Sequence, residues 1–251
     1  MVQFSLASTH MSPKIQRILP YLALVSGIIC LSFSAMFIRW AQAPGPVVSF
    51  YRISIATLVL APLFWKQRKK VNHQLTASQL VFPLLGGIFT ALDHAVWSSS
   101  LSFTTAANAA LLGNTAPLWV ALVSWIIFRE QLVGKFWIGL AFTLGGAMIV
   151  LGSDFLRHPS LGMGDLLALA AGLFYGGYFL VTQRGRQHLD TLSYAWLVNL
   201  VGSGGLLLVS LGLGFPISGY PALSYLAFAG AALISQVGGV LSISYALGHL
   251  P

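Results

Sequence analysis

The sequence predicts an all-α fold, a polytopic transmembrane helical bundle, and three observations carry that prediction. Of 251 residues, 57% are hydrophobic and only 7% charged, against roughly 25% charged in an ordinary soluble domain. The apolar residues gather into eight runs, 18–38, 46–65, 77–98, 104–128, 135–153, 164–183, 191–213 and 222–246. Each is close to the ~20 residues that cross a bilayer as a helix. Lysine and arginine collect in alternate links between these runs, which is the mark of cytoplasmic loops.

Residues 1–17 are expected to form a cytoplasmic N-terminal segment. They carry no Lys, Arg, Asp or Glu before Lys14, the wrong order for a cleavable signal with its basic start, and Met11 is an alternative start. The first run holds Cys30, the only cysteine, so no intramolecular disulfide and no cysteine-based metal site is available. Pro44 to Pro46, Pro159 to Gly164 and Pro216 to Pro221 supply breaks between later runs. With the N-terminus inside, Lys14, Arg17, Lys66, Arg68, Lys69, Lys70, Arg129, Lys135, Arg184 and Arg186 fall on the inner side, and only Arg39 and Arg157 on the outer. The net charge of +8 and pI near 9.9 therefore read as a topology signal, with no nucleic-acid site. Lys66 to Lys70 could also bind anionic lipid, although topology alone accounts for them.

The stretch 90–130 holds the unusual chemistry. Asp93 and His94 sit inside the third run, Asn108, Asn114 and Pro117 inside the fourth, and the uncharged link Ser98 to Thr104 joins the two. Polar groups at lipid depth are costly, so a substrate or ion site is the default reading. Pro117, read as a mid-helix proline, leaves the Gly113 carbonyl without its usual donor. Broken backbone is tolerated at this depth where it faces protein or a cavity, and a kink satisfied by neighbouring helices is the plainer alternative. Arg52 lies about five residues from the outer end of its run and Asp93 a similar distance from the outer end of the next. Arg52 either snorkels to the interface or pairs with Asp93. Neighbouring residues on a helix point about 100° apart, so Asp93 and His94 are not expected to face each other. His94 then reads as a packed histidine. Trp97 and Trp119 either wall a cavity or sit at the membrane interface.

Enzyme classes find no support. A rhomboid-like G-x-S-G nucleophile turn around Ser203 would need a glycine where Val201 stands, and the six histidines form no HExxH or helical pair. Small-residue rows at Gly172 with Gly176, and Ala231 with Ser235 and Gly239, read as helix-packing faces. Offsets of 145 and 146 residues superpose Arg39 on Arg184, Gly27 on Gly172 and Ser98 on Ser244. A five-span unit repeated once must be inverted, because five is odd. At these offsets Asp93 maps to Gly239 and Arg52 to Leu197.

The segment 110–131, ALLGNTAPLWVALVSWIIFREQ, and the segment 49–62, SFYRISIATLVLAP, resemble the EamA-like branch of the drug/metabolite transporter superfamily. The resemblance implies ten helices in two inverted five-helix units around a central cavity, used to export or exchange small metabolites. Pro117 and Glu130 match the family motif, whereas Asp93 has no counterpart in it. The units expected here are 18–153 and 164–251. The second is unfinished, since equivalents of Pro117 and Glu130 would fall beyond Pro251, and the chain is then either a fragment or a shortened relative.

The resulting expectation is an inner- or plasma-membrane secondary transporter of small metabolites, not an enzyme, with Asp93 coupling an ion or substrate. Asn108, Asn114 and the Gly113–Pro117 break would hydrogen-bond a polar substrate. No cofactor is called for, protons or sodium are the coupling ions considered, and a homodimer stays open. The competing class is a non-transporting scaffold or lipid-handling protein. The charge split predicts that position 72 faces the cytoplasm and position 102 the outside. In a Cys30→Ser background, Ser102→Cys should react with a membrane-impermeant maleimide in intact cells, and Asn72→Cys only after lysis. The opposite pattern would invert the topology.

Overall fold

The computed structural model of the protein describes residues 13–70, 76–129, 134–155, 162–187 and 189–247, and every regular element among them is helical. The first span is built from α1 (Pro13–Ser32) and α2 (Ser34–Trp40), followed by α3 (Gly45–Lys70) and α4 (Ala77–Ser100). The next is split into α5 (Ala106–Gly113) and α6 (Ala116–Ile126), and α7 (Gly134–Phe155), α8 (Met163–Gly185) and α9 (Thr191–Gly212) follow. The last combines α10 (Ala222–Gly230), a π-helical segment (Ala231–Gly239) and α11 (Val240–Leu247). Seven of these spans, among the described residues, are long and apolar enough to cross a membrane, and α7 occupies the remaining predicted run. The predicted polytopic all-α bundle is the observed architecture.

Three runs that read as single helices are interrupted. α1 gives way to α2 at Phe33, the last span changes to π winding in its middle, and the fourth breaks at Asn114–Thr115. Pro117 is accordingly not mid-helix. It occupies the first turn of α6, where a missing N–H costs nothing and the fixed φ suits helix entry. Thr115 Oγ1 donates to the Leu112 carbonyl at 2.6 Å and Asn114 Nδ2 to the Ala110 carbonyl at 2.7 Å, so side chains supply donors to the end of α5. The supposed link from Ser98 also begins later, because α4 runs to Ser100. Ser98, Ser99 and Ser100 each turn a hydroxyl back onto a carbonyl three or four residues earlier, which keeps serine inside a helix.

α4 is the central element, packed against α3, α8 and α9. α3 also packs on α9 and the π segment, α1 on the π segment and α11, and α8 holds both α5 and α6. α7 lies at the rim beside α5, with Phe142 and Ile149 turned outward at 78% and 79% exposure, as lipid-facing residues should be.

Several contacts are backbone on backbone. A Cβ placed on Gly45 would lie 2.5–2.7 Å from the Ser98 carbonyl group and the Ser99 nitrogen, and one on Gly164 would meet Phe103 and Thr104 at 2.6–2.8 Å. The small-residue rows are packing faces as expected. Gly172 and Gly176 meet the α5–α6 break, while Gly239 lies on Leu31, and Ser235 Oγ donates to the Cys30 carbonyl at 2.9 Å.

Polar contacts tie the links at both ends. At the Gly45 end Arg39 Nη2 donates to the Thr104 carbonyl at 2.9 Å, and Thr104 Oγ1 to Asp165 at 2.6 Å. At the Lys66 end Gln67 donates to Asp190 at 3.1 Å, and the Arg184 guanidinium sits 4.4 Å above the Phe128 ring. Glu130, which matches the family motif, and Arg157 lie outside the described residues.

The Gly45 contact leaves no side chain to give way. Gly45→Ala should lose about 1–3 kcal/mol, by the overpacking penalty, in detergent thermal unfolding. Gly204→Ala, with open space around the site, should be neutral or slightly stabilising through helix propensity. Equal midpoints for the two variants would rule out the close approach.

Candidate functional site

α3 and α4 run antiparallel and carry Arg52 and Asp93 to the same level, each seven residues from its end at Gly45 or Ser100, roughly 10 Å in at 1.5 Å per residue. Ser34, at the start of α2, reaches a similar depth from Trp40. Arg52 is 6% exposed, so it does not snorkel. Its Nη1 donates to Ser34 Oγ at 2.6 Å, and its Nε has no partner among the described residues. Nor does it form an ion pair with Asp93: the only contact of that kind within 4.0 Å among the described residues joins Asp93 to His94. Asp93 acts on Arg52 from further away, through space. Both sequence-based alternatives for Arg52 are thus replaced by a third, a buried guanidinium held by a neutral hydroxyl.

His94 also departs from expectation. Its Nδ1 lies 3.0 Å from Asp93 Oδ2. The two Cβ directions diverge, but the side chains bend toward each other, at 19% and 14% exposure, and Nδ1 is the ring nitrogen nearer the backbone. The His94 carbonyl accepts from Ser49 Oγ on α3 at 3.3 Å and from Ser98 Oγ one turn on.

Around Asp93 the same face of α4 carries Phe89 one turn earlier and Trp97 one turn later. Phe89 lies on Gly177 of α8, and Trp97 lies on Gly113 of α5 with its Nε1 donating to the Ala109 carbonyl at 3.1 Å. Asp93 therefore looks toward α8 and α5, and it acts electrostatically on Tyr175 of α8. Tyr175 packs with Tyr178 and Phe179, at ring separations of 6.1 and 4.5 Å.

The structure thus brings Arg52, Asp93, His94 and Trp97 together, with Gly113 against Trp97, while Asn108 is buried on α5 next to Ala109, whose carbonyl Trp97 holds. Asn114 and Pro117 are exposed at the α5–α6 break, and Trp119 serves that break by donating to Thr115 Oγ1 at 3.2 Å. Sequence reading did not single out Ser34 or Tyr175. For Tyr175 the signal was the aromatic cluster Tyr175, Tyr178, Phe179 within an otherwise small-residue helix. Ser34 offered none, because a lone serine in an apolar helix is ordinary. Among the described residues no three His, Cys, Asp or Glu side chains gather to hold a metal ion.

At the Gly45 end, a cleft of about 450 Å³ is lined by Arg39, Gln42, Gly45, Ser98 and Ser102 among others. Gln42 has φ +47°, a left-handed backbone uncommon for a residue with a side chain. Gly45 and Ser98 close the cleft toward the charged group, and Ser49 stands one turn deeper on α3.

A bundle of apolar helices around a buried ionic group defines a multi-pass membrane protein. The model of the EamA-like transporter family matches residues 18–152, more than half of the chain, and the chain belongs to that family. It is similar to the uncharacterized transporter YyaM of Bacillus subtilis, 25% identical over 171 residues, 67% of this chain and 55% of that protein. An uncharacterized transporter of Methanothermobacter thermautotrophicus is 28% identical over 54% of this chain and 40% of its own. A WAT1-related protein of Arabidopsis thaliana is 27% identical over 52% and 38%. The chain thus spans about half or less of the length of these curated relatives. A crystal structure superposes with TM-score 0.63 over 95% of this chain and 80% of that one at 20% identity, a likeness of fold alone.

Arg52 and Asp93 should be energetically coupled without touching. Arg52→Leu and Asp93→Asn are each expected to destabilise the protein, and the double variant to recover about 1–3 kcal/mol against the sum of the singles. Additivity in a chemical or thermal unfolding series would show that the two charges act independently.

Proposed function

We propose that the protein is a secondary transporter of small metabolites, an exporter or exchanger, working by alternating access in an inner or plasma membrane with its N-terminus in the cytoplasm. Residues 18–153 form one five-helix unit, and 164–251 belong to a second, inverted one. The observation that carries this reading is the placement of Asp93. Among the described residues it is the only acidic one well inside a span, and it is held against His94 on α4, which packs on α8 of the proposed second unit.

A carboxylate at a seam between units meets a different environment in each half of an alternating cycle, which is what ion coupling requires. Protons are the favoured coupling ion because a histidine already shares the carboxylate, and sodium is the alternative. Trp97 and Asn108 would bound the substrate space on the α5 side. Family membership argues against the scaffold alternative and agrees with a non-enzymatic role.

The test is flux. Reconstituted into proteoliposomes, the protein should take up members of a pool of amino acids, nucleobases, organic cations and carboxylates under an imposed pH gradient, with no sodium requirement. Asp93→Asn should lose at least tenfold of the pH-driven component while still binding substrate. A well-folded Asp93→Asn protein with unchanged pH-dependent flux would end the coupling role.

A further inference from the structure

The geometry points to Arg52 as the receptor for a single carboxylate on the transported solute, with the Nε–H edge of its guanidinium as the docking fork. This inference rests on the transporter reading and names its substrate class. Arginine keeps its charge at any accessible pH, and a buried charge is stable only when it is paired and hydrogen-bonded. Here the guanidinium has a neutral hydroxyl, Ser34 Oγ, on Nη1 and no partner among the described residues on Nε.

The nearest carboxylate does not fill the gap, because Asp93 lies beyond ion-pair distance and its Oδ2 is against His94. Ser34 belongs to α2 and Arg52 to α3, so their bond fixes the guanidinium plane between two helices. The Nε–H then projects in a set direction, and a carboxylate binds such an edge through two parallel N–H···O bonds.

The charge of the solute follows from the surroundings. Among the described residues Arg52 is the only Lys or Arg within the interior of a span, and Asp93 stands at the same depth on the neighbouring helix, where it disfavours a second negative charge. A monocarboxylate fits this balance and a phosphate dianion does not. The cleft at the Gly45 end opens on the membrane face from which Arg52 is seven residues deep. Arg39 lines it with Ser98, and Ser49, three residues before Arg52 and thus on the same face of α3, stands one turn deeper with its hydroxyl on the His94 carbonyl.

Matched ligand pairs test the inference on the full chain in lipid nanodiscs: benzoate against benzamide, and hexanoate against hexanamide, by calorimetric titration. Each carboxylate should bind at least tenfold more tightly than its amide. Arg52→Lys, which keeps a charge but not the fork, should weaken carboxylate binding tenfold or more, and Arg52→Gln should erase the preference. Equal affinities within the pairs for the unaltered protein, no binding of either member, or a preference retained in Arg52→Gln would overturn it. The ligand pairs decide the matter even if a variant does not fold. Flux of neutral or cationic solutes without carboxylate preference would remove this inference and leave the transporter reading standing. Arg52-dependent carboxylate binding without flux of any solute would do the reverse.

Discussion

Helices in a bilayer gain little from burying apolar surface against one another, since lipid is as apolar as leucine, and close backbone approach has to supply the attraction. That constraint shapes this bundle. α4 sits at its centre because its neighbours present glycine or let it present glycine. Gly45 of α3 lies on Ser98, Gly177 of α8 receives the Phe89 ring, and Gly86 and Gly87 of α4 lie on Tyr194, Val198 and Val201 of α9. Gly172 and Gly176 do the same for the α5–α6 break. The elements that make such contacts form the compact part of the molecule, and α7, whose glycines 139, 145 and 146 meet nothing within 4 Å, stays at the rim.

The second constraint is that polar groups inside lipid must find partners within the protein. Most do so locally. Thr57, Thr90, Ser98, Ser99 and Ser210 return their hydroxyls to carbonyls one turn back, and the α5–α6 break is served by Asn114, Thr115 and Trp119. The group around Arg52 belongs to the minority that bond across helices, as Ser235 does to Cys30 and Trp97 to Ala109. Its bonds run between helices, from α3 to α2 and from Ser49 of α3 to the backbone of α4, and one donor is left unmatched.

Spans and packing faces were legible in the sequence because they depend on length, apolarity and side-chain size, all of which are one-dimensional properties. The run 191–213 became Thr191–Gly212, and the row Gly172, Gly176 met another helix. What failed depended on side-chain direction or on capping. Pro117 looked like a kink because nothing in an apolar run announces that Asn114 and Thr115 end one helix and begin another. Asp93 and His94 looked divergent because the 100° rule describes Cβ vectors and not the ends of flexible side chains. Arg52 had two plausible outcomes on paper and adopted neither, since its actual partner, Ser34, lies on a helix break invisible in composition.

The distribution of charge between the halves bears on how a transport cycle would use this group. At the offsets of 145 and 146 residues proposed to relate the two halves, Leu197 stands in the place of Arg52 and Gly239 in that of Asp93. Leu197 packs with the Tyr194 cluster, and Gly239 lies against Leu31 and Gly27. The second half therefore spends these positions on packing and contributes Tyr175 from α8. Arg52 and its anchor Ser34 both belong to the first half, so a rocking of one unit against the other leaves their bond intact. Asp93 faces across the seam, where the same motion carries Tyr175 and the Phe89–Gly177 contact past it. On the proposed cycle the two charges then divide the work by position: Arg52 is a fixed docking point, and Asp93 is the group whose surroundings change.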